Sequence, residues 1–571
     1  MTTIPCRRLV LPLLALALAA PPHAVAQDGD RVSAVDAVFA RWDSVTTPGC
    51  AVGVSMGSET VLERAYGMAE LEQGIANTPA TIFENGSVSK QFTAAAVVLL
   101  ALEGKLSLDD DVRRWVPELP DYGHTIRLRH LLNHTSGLRD WGSVAEISGW
   151  GRSDRTHTHA HVLDILRRQS ALNFEPGHEY SYSNSGYNLL AIIVERVSGI
   201  PFARFSADRI FGPVGMSHTQ WRDDYRRIVP GRSAAYQYRG VGGYVIDRPI
   251  ENVHGNGGLL TTVGDLLIWT RSLQDASLAG PEFVEIMQEQ GLLNDGRTIT
   301  YALGLVVDST LGVPSVSHSG ATSGYRAHLG RFPEHDLAVA VLCNVGAANA
   351  SQYWTEVSRV YLGAAARPAR QMPDGIALPE ASVRARAGLY RDRQTGFPER
   401  LAVGTDGTLR MGRTPLVPVS ETEFLVGASG RRLIFAEAGP GGRAPFRIFD
   451  GDILVDEYVP EDPVDPTPAE LAAYVGTYHS DDAEATFRVT VDEGRLVVHR
   501  RPADRFPLVP SYLDAFQGGP GVVRFLRGAD GEVTGMSLGQ RRVYDMRFRR
   551  VSDDIPGAPL PVAGARGGGT P

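Results

Sequence analysis

Lysine is nearly missing from this 571-residue chain: it occurs twice, at Lys90 and Lys105, against 54 arginines. A position that keeps lysine therefore invites a reason arginine cannot meet, an amine able to give up its proton. Cysteine is almost as scarce, three in all, which excludes a disulfide scaffold and offers no zinc spacing. Cys50 and Cys343 each border a strand-like apolar run. The plainer reading is two buried small thiols; an exported chain would also permit a single disulfide between them. Positive charge is not in excess. The net charge is −9 with no basic stripe, so nucleic acid is not an expected partner. No apolar run reaches the roughly 20 residues that span a bilayer.

What is present is glycine and proline, 62 and 36 residues, a turn-rich content that favours short strands over long bundles. Arg7 and Arg8, the apolar run Leu9–Ala20 and the small-residue site Ala24-Val25-Ala26 make residues 1–26 a cleavable secretory leader, which implies a secreted or periplasmic protein. Residues 31–363 mix helix and strand patterns. Val35, Val38, Phe39 and Trp42 fit one face of a helix, and Cys50–Ser55 and Thr60–Tyr66 read as a hairpin. Residues 364–381 form a linker. The stretches 382–461 and 469–551 are strand-like and echo one another: Gly388-Leu389-Tyr390 recurs as Gly476-Thr477-Tyr478, and Pro415-Leu416-Val417-Pro418 as Pro507-Leu508-Val509-Pro510. Phe424 and Phe516 each follow the last of those prolines by six residues. Two copies of a small antiparallel barrel or sandwich are expected, with a disordered tail over 552–571.

The chemistry-bearing motifs fall in the first block. Ser87-Val88-Ser89-Lys90 opens the apolar helix that ends at Leu102. At i and i+3 the serine and lysine share a face, and a serine at a helix N-terminus meets the positive end of the dipole, which favours a developing alkoxide. Tyr182-Ser183-Asn184 precedes a helix expected to begin near Tyr187; extended, its residues 182 and 184 point to one side. His318-Ser319-Gly320 ends a strand-like run and leads into Ala321.

In this order the three motifs resemble the serine β-lactamase and penicillin-binding protein superfamily, and its class C-like branch in particular, with S-x-x-K, Y-x-N and K/H-x-G. The segments His130–Leu138 and Gly257-Gly258-Leu259 look similar too. The resemblance implies an α+β catalytic domain, an antiparallel sheet with helices. It makes Ser87 the acylated nucleophile and Lys90 and Tyr182 the groups that move its proton. It also implies that Asn184, His318 and Gly320 line the substrate site, and that the backbone N–H groups of Ser87 and Ala321 hold the oxyanion. No cofactor or metal is implied. β-Lactamases of this branch usually carry lysine where His318 stands; the histidine form resembles D-aminopeptidases and esterases. A catalytic block followed by two lipocalin-like barrels resembles the D-aminopeptidase layout, in which the last barrel sends a loop towards the active site.

Other motifs carry less. Gly53-Val54-Ser55-Met56-Gly57 fits a nucleophile elbow in letters, but a strand follows where a helix is needed. His157, His159 and His161 read as a solvated histidine-rich loop, His130 and His134 as structural, and Asp109-Asp110-Asp111 as a solvated helix start. The expected function is an exported serine hydrolase acting through an acyl-enzyme on a small amide, peptide or ester, D-amino acid substrates included. The alternatives are a β-lactamase or D,D-carboxypeptidase, and a sensing module that deacylates slowly. The expected partner is a small-molecule or peptide substrate; oligomeric state is open.

Overall fold

The computed structural model describes residues 22–367, 375–437, 442–451, 453–519 and 521–552. Residues 1–21 of the expected leader, 368–374 of the expected linker and the expected tail from 553 lie outside the described residues. The β-branched and alanine-rich runs of the first block build a six-stranded antiparallel sheet. Its order is Val306–Thr310, Val313–Thr322, Tyr325–Phe332, Leu337–Cys343, Cys50–Met56, Glu59–Tyr66. Alternation sorts its side chains: Val339 and Val341 face the helices Pro22–Phe39 and Ala350–Leu362, while Ala338, Ala340 and Leu342 face the helical half of the domain. Cys50 and Cys343 stand opposite each other in register and form a disulfide, which corrects the reading of two buried thiols. The first and last parts of the catalytic region pair here, and no local pattern announces that pairing.

The helix Lys90–Leu102 is buried from Lys90 through Leu100, apolar on every side, as a helix through a domain's middle must be. It packs on the helix Asn184–Ser198, which begins three residues earlier than expected. Ser183 stays extended, and the Asp140 carboxylate accepts the Asn184 N–H at 2.7 Å, supplying from outside the cap that the local sequence lacks. The histidine-rich segment is also corrected. Thr158 starts a helix, His159–Arg167, and His157 is buried with its Nε2 between the carbonyls of Trp150 and Gly151, so it is no solvated loop. Asp111 caps only a single 3-10 turn, Val112–Arg114.

Two β-units follow. The first is a closed eight-stranded antiparallel barrel from Gly388–Asp392 to Ile453–Glu461, packed around Tyr390, Leu401, Leu416, Phe424 and Phe446. The second is a nine-stranded sheet from Gly476–Ser480 to Val543–Val551, curled until its edge strands, Asp504–Pro507 and Val509–Pro510, are consecutive in the chain. The sequence echo has a physical basis. Tyr390 and Tyr478 are wholly buried, and each hydroxyl donates to a carbonyl four residues upstream, Arg386 and Tyr474, at 2.8 Å. Pro418 pairs with Phe424 and Pro510 with Phe516, so the six-residue spacing is strand register. The proline motif lies in one strand, Thr414–Pro418, in the first copy but is split between two edges in the second, which leaves the second barrel not quite closed.

The second barrel docks on the catalytic domain through buried polar contacts. Arg139, 4% exposed, pairs with Asp482 at 2.8 Å and donates to the Asp545 carbonyl at 2.8 Å. Among the described residues no helix is long and apolar enough to cross a membrane.

Candidate active site

Two glycines bring the nucleophile turn and a strand end together. Gly86 has φ +54°, and a Cβ there would meet the Ala321 nitrogen at 2.6 Å; a Cβ on Gly320 would meet the Asn85 carbonyl at 2.0 Å. With no side chain at either place, the end of strand Val313–Thr322 lies backbone to backbone against the turn Gly86–Ser89. Ser87 sits in this 3-10 turn and the α-helix begins only at Lys90, one turn later than the spacing suggested, yet Lys90 Nζ still reaches Ser87 Oγ at 3.2 Å.

Lys90 is completely buried. Burial holds its amine well below the usual ammonium range, helped by the guanidinium groups of Arg542 and Arg152 and opposed by Asp140. Its other partners are pure acceptors, the Asn256 carbonyl at 2.6 Å and Asn184 Oδ1 at 3.0 Å. A neutral amine has two N–H bonds to give. In that form these two acceptors take both, which leaves the lone pair for the Ser87 hydroxyl 3.2 Å away.

Tyr182 covers the lysine, with Nζ 4.8 Å from the ring centroid. Its hydroxyl is buried and in no full hydrogen bond within the protein. Burial pushes the phenol above its usual range, while the nearby Ser87 hydroxyl and the Arg542 charge pull it back. His134 fixes this segment: its Nδ1 accepts the Ser183 N–H at 3.2 Å, its carbonyl accepts Ser181 N–H at 3.0 Å, and its ring packs 4.2 Å from that of Tyr182. Across the cleft His318 Nδ1 lies 2.6 Å from the Ser319 carbonyl, which can only accept, so Nε2 is the free lone pair and takes the Tyr301 hydroxyl at 2.9 Å. Burial pushes the imidazole down to about 3. His318 is uncharged at neutral pH.

A cavity of about 540 Å³ is bounded by Ser87, Tyr182, Asn184, His318, Gly320 and Ala321, so the residues singled out by sequence surround one space, with Lys90 beneath Ser87. Its charged lining is Arg152, Arg326 and Arg542, with no carboxylate. Arg152 is tied to the buried Glu251, Nε to Oε2, at 2.9 Å. Sequence reading missed Asn256, Asp140 and these arginines. Asn256 stands beside the recognised Gly257-Gly258 and was within reach; Arg542 comes from the second barrel and had no local signal. Ser55 is buried inside the strand Cys50–Met56, with a strand after it.

The beta-lactamase family model matches residues 35–356. Penicillin-binding protein 4* of Bacillus subtilis is 30% identical over 411 residues, 65% of this chain and 86% of that protein. The D-aminopeptidase of Gluconobacter oxydans is 28% identical over 554 residues, 91% of this chain and 98% of the relative. Among solved structures, the octameric penicillin-binding protein homologue from Pyrococcus abyssi superposes with a TM-score of 0.53 at 22% identity, covering 84% of this chain and 99% of that one, a likeness of fold. With the family model matched over more than half of the chain and D-aminopeptidases among its relatives, the chain is an enzyme and belongs to the beta-lactamase family.

Proposed function

We propose that the protein is an exported hydrolase that cleaves small amides, peptides or esters through an acyl-enzyme on Ser87, with D-aminoacyl amides and peptides as its leading substrates. One observation carries the chemistry: a wholly buried Lys90 amine, its proton affinity held down by burial, 3.2 Å from Ser87 Oγ. Lys90 takes the hydroxyl proton as Oγ attacks the carbonyl carbon. The N–H groups of Ser87 and Ala321 hold the oxyanion, each such donor being worth about 3–4 kcal/mol. The C–N or C–O bond then breaks, and the departing group receives the proton through Tyr182. Water enters, the same pair takes its proton as its oxygen bonds to the acyl carbon, the C–Oγ bond breaks, and the proton passes to Ser87 Oγ as the acid leaves. Asn184, held by Lys90 and by the cap at Asp140, presents its amide to the substrate. The D-aminoacyl preference is supported by the likeness to the D-aminopeptidase along 91% of the chain and by a neutral His318. Export is supported by the leader pattern of residues 1–26 and by the Cys50–Cys343 disulfide.

The all-arginine charged lining of the cavity favours a second reading, a substrate bearing a carboxylate, as in a β-lactamase or D,D-carboxypeptidase. The deciding experiment is a panel of D- and L-aminoacyl anilides, short-chain esters and a chromogenic cephalosporin, with intact-mass detection of the Ser87 adduct and Ser87→Ala as control. Turnover of D-aminoacyl anilides supports the first reading and fastest turnover of the cephalosporin the second. A stoichiometric burst without turnover would make the protein a sensing module.

A further inference from the structure

The last hairpin of the second barrel, strands Val533–Gln540 and Val543–Val551, turns at Arg541 and Arg542 against the catalytic cleft. The turn is pinned by its backbone. The Arg542 carbonyl accepts Asn173 Nδ2 at 3.0 Å and Asp140 N–H at 3.3 Å, and the Tyr544 N–H donates to Asn173 Oδ1 at 3.0 Å. The side chain is thereby left to the site. Its guanidinium carbon lies 4.9 Å from the centroid of the Tyr182 ring, and Lys90 Nζ lies 4.8 Å from the same centroid. The guanidinium carbon and Lys90 Nζ are thus no more than about 10 Å apart.

We propose that Arg542 is a positioning residue of this hydrolase: the second barrel holds a fixed positive charge against the Lys90–Tyr182 pair, and while that barrel is docked the charge favours the proton-accepting form of the pair. The inference rests on the Ser87 acyl-enzyme reading. An arginine keeps its charge at any working pH. Its field disfavours an ammonium at Lys90 and favours a phenolate at Tyr182, so it acts in the same direction whichever of the two is the base.

The other groups facing the pair do not supply this field. His134 and His318 are held uncharged by burial, and burial raises the phenols of Tyr180, Tyr187 and Tyr301 out of the neutral range. Arg152 carries a charge but is forked onto Glu251, which cancels most of it. Asp140 opposes the effect, 4.0 Å from Arg542, but it is also engaged by the Asn184 N–H. Arg326 also lines the cleft, where it donates to the Ser323 and Tyr325 carbonyls, each at 2.7 Å; Arg542 is the cation set over the Tyr182 ring.

The test uses the full chain with Arg542→Gln and Arg542→Lys. The hydrogen bonds that dock this residue are made by its backbone, and its side chain adds only the 4.0 Å pair with Asp140 and the Tyr182 ring contact, so both variants should melt close to the parent. The readout is kcat/KM against pH for an uncharged p-nitrophenyl ester, with the mass of the Ser87 adduct as control. A charge about 10 Å away at an effective dielectric near 20, discounted for the partial exposure of Arg542, moves the acid limb by about half to one pH unit. Arg542→Gln should move that limb upward by this amount, and Arg542→Lys should return it. An active enzyme whose limb stays put in Arg542→Gln overturns the inference, whatever happens to its rate. So does an equal shift in the glutamine and lysine variants, which would make shape rather than charge the cause. A loss confined to carboxylate-bearing substrates, with the limb unmoved, makes Arg542 a substrate anchor instead. A wild type that never acylates at Ser87 removes the hydrolase reading and this inference together.

Discussion

Replacing Lys90 with arginine tests the mechanism at its narrowest point. Both residues are long and basic, and elsewhere this chain prefers arginine. At position 90, however, the side chain must accept a proton from Ser87, and a guanidinium cannot. Loss of a general base typically costs about 10²–10⁴ in rate, so Lys90→Arg should be as inactive as Lys90→Ala. The two variants should separate in stability. Alanine leaves the Asn256 carbonyl and Asn184 Oδ1 without a donor, a cost of about 1–3 kcal/mol each where water does not replace it. Arginine instead places a permanent charge at a fully buried position beside Arg542 and Arg152, and a buried unpaired ion costs several kcal/mol. The expected result is equal loss of Ser87 acylation, measured by intact mass after a covalent serine probe, with Lys90→Arg melting below Lys90→Ala. An arginine variant that keeps more than about a tenth of the parent acylation rate would refute the neutral-amine argument.

Gly320→Ala puts a methyl 2.0 Å from the Asn85 carbonyl and 3.1 Å from the Ser87 nitrogen, so strand and turn must part. A loss of about 10²–10³ in kcat is expected as the two oxyanion donors separate, and a parent-like kcat in a folded variant would count against that pairing. His318→Lys supplies the charge that the imidazole lacks: kcat/KM should rise about tenfold, or ~1.4 kcal/mol, for a carboxylate-bearing substrate and not for its methyl ester. Equal change in both would show that position 318 does not choose between them. Stability should fall on acidification. His130, His318 and His328 are pushed down by burial, to about 4, 3 and 3. Between the unfolded value near 6.5 and those folded values, only the unfolded chain takes up their protons. The stabilisation is therefore complete above about pH 6.5 and is lost as pH falls below it, by up to about 1.4 kcal/mol per pH unit for each imidazole. Chemical denaturation at pH 7.5 and pH 5 measures this, and unchanged midpoints would contradict it.

Legibility in the sequence followed the range of the interactions involved. Local periodicity located the hairpin at Cys50–Tyr66 and the helix after Ser87, and a fixed register between Pro418 and Phe424, repeated at Pro510 and Phe516, exposed the two barrels. The motifs at Ser87, Tyr182 and His318 were readable because each is short and continuous; the structure sets them around one cavity. Features made by partners far apart in the chain were not readable. The disulfide needs strand Cys50–Met56 to pair with Leu337–Cys343. The start of the helix at Asn184 depends on Asp140, and the burial of His157 on the carbonyls of Trp150 and Gly151. Composition and period carry none of these.

The scarcity of lysine shows both the strength and the limit of composition as a guide. Both lysines escape the arginine bias, but only one is at the chemistry. Lys105 is about half exposed and lies 2.8 Å from Glu103, a surface pair that arginine would serve equally well. Lys90 is buried to the last atom, with acceptors placed to take exactly the two N–H bonds of a neutral amine. Rarity therefore marked the residues to inspect, and burial with the right partners distinguished them. The same test applies to the arginines. Most are spent on surface pairs, whereas Arg542 is carried across a domain boundary on a turn held by its own backbone and left facing a tyrosine and a lysine. In both cases the chemical meaning lies in the surroundings of the side chain: the lysine is shut off from water, and the arginine, 4.0 Å from Asp140, is set over the Tyr182 ring.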